Sequence, residues 1–339
     1  MKILIFTDNH FCETSSIIRK YGTKYTLRLE NQIKSLNWVE RLAKEKSCDM
    51  VICAGDFFDK AQLTDQELTA LGDINWNGLP HYFLVGNHES SVNGLKFNST
   101  KALEGPNRYI ISEPKVIDLE KTELAFLPYV IESDRKPIKE YFTKSHEKAL
   151  LISHNDIKGI QMGPVISQTG FEIADIESYA DLTVNGHLHN GQPISKKIIN
   201  LGNLTGINFS EDATRYSHNA MIVDTGTLTY DLIENPYAFN FYKLEINNRA
   251  DLVKFGQLSE NAVLSIKCNK TYLAEVQEIL SKINIIESRI IITKDLSAEE
   301  AEIDMSDFSV DHIAKFIECA KEHYGTNAIL EAELAEICK

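Results

Sequence analysis

Short apolar runs closed by polar punctuation set the framework of the chain. Lys2–Thr7 ends in Asp8-Asn9-His10, Met50–Ala54 ends in Gly55-Asp56-Phe57-Phe58-Asp59, and His81–Val85 ends in Gly86-Asn87-His88-Glu89. Runs of this length, bounded by Gly, Asp and Asn, predict buried strands. Between the first two, Leu29, Ile33, Leu36, Val39, Leu42 and Ala43 recur at helical spacing and predict an amphipathic helix over 29–46. Thr64, with Glu67 three residues on, predicts a capping box and a helix to about Leu71.

Further along, the apolar runs come closer together. Strands are predicted over 108–112, 115–119, 124–130 and 149–153, the last ending at His154, and again over 181–184, before Asn185-Gly186-His187-Leu188-His189. Two more follow, at 198–201 and 220–224. Helices early and strands late predict an α/β fold, a four-layer αββα two-sheet sandwich over residues 1–235. Near Asn235-Pro236 the character changes. A strand over 262–268, a helix over 271–283 and a strand over 288–293 predict a small α+β cap domain, 236–294. Residues 295–307 hold six acids and no base and read as a solvated linker. The helical C-terminal tail, 308–339, shows two short amphipathic patterns, one through Val310, Ile313 and Ile317 and one through Leu330, Leu334 and Ile337.

Composition adds little that the pattern does not already carry. The 43% hydrophobic content supports a real core, and no apolar run is long enough to span a membrane. Asp8 arrives too soon after the N-terminus for a signal peptide, so a soluble, cytoplasmic protein is expected. Six cysteines without C-x-x-C spacing read as reduced core thiols. The net charge of −14 argues against a polyanionic partner only until its distribution is seen: more than half of the excess falls after residue 250.

Candidate chemistry gathers at the strand ends. Asp8/His10, Asp56/Asp59, Asn87/His88, His154 and His187/His189 each follow an apolar run, and in a sheet-based fold such tips converge on one edge. In an extended segment, side chains at i and i+2 share a face, so Asp8/His10 and His187/His189 are each expected to point at one site. Taken singly, Asp8 and Asp56 read equally well as turn-capping carboxylates, and His154 as a core histidine. Together, Asp8, His10, Asp56, Asn87, His154, His187 and His189 exceed the needs of one ion and suit two divalent cations such as Mn²⁺, Fe²⁺ or Zn²⁺, bridged by a carboxylate. Such a pair about 4 Å apart serves phosphoester hydrolysis.

The ordered set D-x-H, G-D-x-x-D, G-N-H-E, H and G-H-x-H resembles the calcineurin-like metallophosphoesterase superfamily over residues 1 to about 230. Within it the chain is most similar to SbcD-type recombination nucleases, through G-D-F-F-D, the helix between the first two motifs, the cap and the acidic linker before a helical tail. Protein phosphatases share G-N-H-E but continue G-D-x-x with Asp-Arg-Gly, whereas here Lys60-Ala61 follows Asp59. The resemblance implies a first metal on Asp8, His10 and His189, a second on Asn87, His154 and His187, and Asp56 bridging. It implies that His88 meets the scissile phosphate and the leaving oxygen, that Asp59 orients His88, and that Glu89 braces the turn. It further implies two Mn²⁺ ions, DNA ends as substrate, a homodimer, and an SbcC-type coiled-coil ATPase partner docking on the tail, although the tail helices could equally pack on their own domain. Arg19, Lys20, Lys24 and Arg28 read as a solvated basic loop or as DNA-phosphate contacts. Two features depart from the SbcD pattern: Phe11-Cys12-Glu13 lacks its Leu-Gly, and Gly202-Asn203-Leu204 replaces its Gly-Ser/Thr-Pro loop. A stand-alone phosphatase or cyclic-nucleotide phosphodiesterase, with residues after 235 as a lid, and a DNA-end-binding scaffold are the alternatives.

Overall fold

Along the first strand, Ile3 and Ile5 face one way and Leu4 and Phe6 the other, and all four are buried. A strand apolar on both faces must be covered on both. In the computed structural model, which describes residues 1–91, 94–162 and 165–293, this strand lies in one of two six-stranded sheets, covered on one face by the other sheet and on the opposite face by a helix. The linker at 295–307 and the tail at 308–339 lie outside the described residues.

The first sheet runs in the order Tyr230–Glu234, Asn219–Asp224, Lys2–Phe6, Met50–Cys53, His81–Leu84, Arg108–Ile111, its last four strands parallel. The second runs Gln192–Pro193, Ile198–Asn200, Leu182–Asn185, Lys148–Ser153, Thr122–Leu127, Lys115–Leu119, with four parallel strands flanked by antiparallel edges. Ile3, Ile5, Ile52 and Leu84 meet Phe126, Ile152 and Val184 between the sheets. On the outer face of the first sheet, Leu4, Phe6, Val51 and Phe83 pack on Leu29, Leu36 and Val39 of a helix spanning Leu27–Glu45. Beyond the second sheet the outer layer is thin, with one short helix, Ile173–Tyr179, placing Ile176 and Tyr179 over Ala125 and Leu151.

The long helix begins two residues earlier than its apolar period suggests, because Thr26 caps it by accepting from the Leu29 backbone N–H. The capping box at Thr64 forms, heading a helix over Asp65–Ala70. Past residue 235, a strand over Asn240–Ile246, unpredicted from the sequence, joins parallel strands over Ala262–Asn269 and Glu287–Thr293 in a three-stranded sheet. The helix here spans Leu273–Leu280 behind a 3-10 turn. This sheet has its own apolar core, and Phe239, Phe241 and Val263 also pack against Ile18 and Phe209. Among the described residues no helix is long and apolar enough to cross a membrane, and the described cysteines, Cys12, Cys48, Cys53 and Cys268, are buried and unbridged.

Candidate metal centre

All the candidate side chains follow the C-terminal ends of parallel strands, three from the first sheet and two from the second. The backbone there is not extended, as the i, i+2 argument supposed. Asp8, His10, Asp56 and His187 have φ of 49°, 46°, 49° and 80°, a left-handed conformation costly for non-glycine residues. Backbone bonds hold the turns: Asp8 N–H donates to Gly55 O at 3.0 Å, and His10 N–H to Asp56 O at 3.0 Å. Close approach also demands glycine. A Cβ on Gly86 would sit 2.1 Å from Asp56 Oδ1, and one on Gly55, at φ 104°, would sit 2.2 Å from His154 Nδ1.

The side chains divide into clusters. Asp8, His10 and His189 form one, Asp56, His154 and His187 another, and His10, Asp56 and His88 a third between them. The His187/His189 pair is therefore split, one ring to each side, rather than sharing a face. Asn87 Oδ1 lies 3.0 Å from His187 Nδ1, on the Asp56/His154 side. Asp56 sits centrally: its Oδ1 accepts from the His88 backbone N–H at 3.1 Å, while Oδ2 lies 3.1 Å from His154 Nε2 and 3.8 Å from His10 Nε2.

Each imidazole is held from behind. His154 Nδ1 donates to Ala54 O at 2.8 Å, His10 Nδ1 to Asp59 Oδ1 at 3.0 Å, His189 Nδ1 to Glu211 Oε1 at 3.1 Å, and His187 Nε2 to Asp156 Oδ1 at 2.9 Å. The inward Nε2 atoms of His10 and His154 are buried and have no hydrogen-bond partner. A buried ring nitrogen with an acceptor behind it and only carboxylate oxygens before it is placed as a metal ligand would be. The nitrogen and oxygen donor set, free of thiolate, suits divalent cations.

Electrostatics agree. Burial alone would lower the pKa of His10, but the Asp59 and Asp8 hydrogen bonds and the Asp56 charge raise it to about 10. His154 rises to about 9, its desolvation outweighed by the Asp56 charge and bond. Burial would raise Asp56, yet the charge and hydrogen bond of His154, with His10 adding to them, hold its carboxyl well below the usual range. Protons thus occupy positions that cations would take. Glu89 is fully buried, accepting from Gly86 N–H at 2.7 Å and Phe58 N–H at 3.0 Å, so it ties the G-N-H-E turn to the G-D-F-F-D loop. Burial and the Asp56 charge push its carboxyl up to about 8.

Two placements correct the sequence reading. The Asp59 carboxylate binds His10 and lies 3.8 Å from His88, whose Nδ1–H donates instead to the Asp59 backbone carbonyl at 3.0 Å. A buried imidazole drawn toward two further carboxylates competes better for Asp59 than one that is 41% exposed. Arg28 is 3% exposed in the first turn of the long helix and donates to His10 O, so it is not a surface contact for DNA. Of the other basic-loop residues, Lys20 donates to Ile286 O, Lys24 pairs with Asp73, and Arg19 bonds Ser16 O. Asp156 and Glu211, which hold His187 and His189, went unread in the sequence. Asp156 stands at i+2 from His154, a spacing that could have flagged it; Glu211 carries no such signal.

Residues 1–221 match the family model for calcineurin-like phosphoesterase. No curated protein sequence matches the chain. Solved structures similar to it include TT1561 of Thermus thermophilus, at 10% identity and TM-score 0.41, covering 69% of this chain and 98% of that one. A dimetal phosphatase from Danio rerio matches at 12% identity and TM-score 0.39, with 69% and 98% covered. A novel archaeal phosphodiesterase matches at 14% identity and TM-score 0.36, with 69% and 99% covered.

Proposed function

The chain belongs to the calcineurin-like phosphoesterase family and is a metal-dependent hydrolase of phosphoesters, and from that premise we propose that it is a Mn²⁺-dependent DNA exo- and endonuclease acting on DNA ends in recombination and break repair. The observation that carries the metal-centre part of the reading is the convergence of two buried imidazole nitrogens, from His10 and His154, on one oxygen of Asp56. Asp8, His10 and His189 would hold one cation, Asn87, His154 and His187 the other, and Asp56 both. When bound, two such cations withdraw charge from the phosphate oxygens and favour an attacking water.

The chain's own groups do the remaining work. His88 and Asp59, with side chains 41% and 40% exposed, stand at the mouth of a centre whose floor, Asp8, His10 and His154, is fully buried. With Nδ1–H fixed on the Asp59 carbonyl, His88 offers Nε2 to exchange a proton with the departing oxygen. Asp59 fixes the rotamer of His10, and Glu211 and Asp156 fix His189 and His187.

The DNA-directed part of the proposal draws support from the order of the motifs, the G-D-F-F-D sequence and the added three-stranded unit. Residues 236–294 then form the DNA-side cap, and 308–339 the tail for a cytoplasmic SbcC-type coiled-coil ATPase working with a homodimer of this chain. The test is cleavage of duplex, single-stranded and hairpin DNA by the full chain with Mn²⁺ or Mg²⁺, with and without the ATPase and ATP. Mn²⁺-dependent cleavage is expected; hydrolysis of p-nitrophenyl phosphate without any DNA cleavage would overturn the nuclease reading in favour of a phosphatase. His88→Ala should still bind two metal ions while losing turnover by roughly 10²- to 10⁴-fold, whereas a DNA-end scaffold would keep full function. Removal of residues 306–339 should abolish co-purification with the ATPase, and unchanged association would dismiss the tail as its docking site.

A further inference from the structure

A cavity of about 870 Å³ opens beside Asn87, on the His187 side of the centre. Its far wall is the loop after the Thr122–Leu127 strand, from Pro128 to Ile131, completed by Arg135, Lys136 and Tyr141. This loop is built in rather than loosely draped. Tyr129 N–H donates to Val85 O at 3.1 Å, bridging the two sheets. The buried Asn155 side chain, adjacent to His154, accepts from Val130 N–H at 2.8 Å and donates to Pro128 O at 2.9 Å. Arg135 joins Val130 O to Asp156, the carboxylate behind His187. The wall is thus registered to the same residues that set the candidate ligands.

The lining says what would fit. Tyr129 sets its ring 5.8 Å from the His187 ring, Tyr141 contributes a second aromatic side chain, and Ile131 is left 52% exposed at the edge. A cavity of this size accepts a group as large as a nucleoside. A second phosphate or a polyphosphate would need free cations, but the Arg135 guanidinium is engaged by Glu132 and Asp156, and Asp134 adds negative charge to the lining. Only Lys136 remains as a lining cation outside those pairs among the described residues. A flat, uncharged, aromatic group is the occupant that suits Tyr rings, a Pro-Val-Ile wall and scattered hydroxyls.

We infer that this cavity seats the nucleobase of a nucleotide flanking the scissile phosphate, with Tyr129 as its stacking platform. The inference rests on the phosphodiesterase reading and adds to it a means of selecting nucleoside esters over simple ones. Two measurements on the full chain with Mn²⁺ test it. In the first, kcat/KM is compared for thymidine 5′-(p-nitrophenyl phosphate) and methyl p-nitrophenyl phosphate. The nucleoside ester should be preferred, Tyr129→Ala should cut that preference roughly ten-fold, and Tyr129→Phe, which keeps the ring, should preserve it. In the second, calorimetry compares binding of deoxyadenosine monophosphate with that of 2-deoxyribose 5-phosphate, and Tyr129→Ala should narrow the affinity gap by a similar factor. Equal binding of the two by the unmodified chain, or a gap indifferent to Tyr129→Ala, would overturn the inference whether or not any diester is cut. A Tyr129-dependent gap with neither diester hydrolysed would leave the cavity assignment standing and remove the phosphodiesterase reading instead.

Discussion

At Asp56 Oδ2 the two buried imidazole nitrogens of His10 and His154 meet, with Asp8 Oδ1 3.9 Å from the first, and the proton is the cation that the chain itself can place there. This makes metal binding a competition with protons. His10 and His154 remain protonated up to about pH 10 and about pH 9 in the metal-free chain, while a metal requires both neutral. Mn²⁺ binding at pH 7 should therefore release protons, and apparent affinity should rise with pH up to that range. Calorimetry in buffers of differing ionisation enthalpy reads the release directly, and no buffer dependence would refute it. The linked effect on the metal-free fold follows in sign: with folded pKa values above the usual 6.5, the two imidazoliums stabilise fully below that pH and cease to as pH climbs through about 9 and 10. A second residue-scale expectation separates the two sites. Glu211→Ala should weaken the His189 site and Asp156→Ala the His187 site, each by about 10- to 100-fold in metal affinity, with the other site little changed. A two-site Mn²⁺ titration of each variant checks this.

Elements position these residues in ways the sequence shows only in part. The five strands that carry the site were legible because their apolar runs stop just before Asp8, Asp56, Asn87, His154 and His187, and a parallel sheet brings such ends to one edge. What lay hidden was the left-handed backbone at Asp8, His10, Asp56 and His187, since nothing in a D-x-H or G-H-x-H string distinguishes it from an extended segment. The Glu211 contact to His189 bridges 22 residues and the Asp8 contact to the His187 N–H bridges 179, distances over which periodicity carries no information. Arg28 shows the same limit, for a basic residue beside Lys24 looks like surface until the Thr26 cap turns it inward beneath His10. The long helix is also pinned to the sheet by a polar contact. Glu40 Oε1 lies 2.9 Å from His81 Nε2, its Oε2 accepts from Asn77 N–H at 2.9 Å, and the Glu40 and His81 side chains are nearly fully buried. Glu40→Ala would leave both partners without their hydrogen bonds and should destabilise the fold by about 1–3 kcal/mol while two-site metal binding persists. Urea unfolding and Mn²⁺ titration of the variant test the two halves of that statement.

For the whole molecule, the proposed DNA substrate must be reconciled with a net charge of −14. Removing Arg28 from the basic loop leaves Arg19, Lys20 and Lys24, and each of these already has a partner, though the Lys24–Asp73 pair is exposed and so weakly held. At most three phosphates are then met by this loop. Counterion release scales with phosphates neutralised, about −0.9 in log K against log salt for each in duplex DNA. The isolated chain should therefore show a slope no steeper than about −3, and its affinity should depend on metal occupancy more than on ionic strength. If an ATPase supplies the basic surface, adding it should steepen the slope, and the measurement is KM for duplex DNA across a KCl series with and without that partner. A slope near about −6 for the chain alone, twice what the loop can supply, would mean that basic residues beyond this loop also meet phosphates, and the acidic excess after residue 250 would then have to be offset by more than the metal centre.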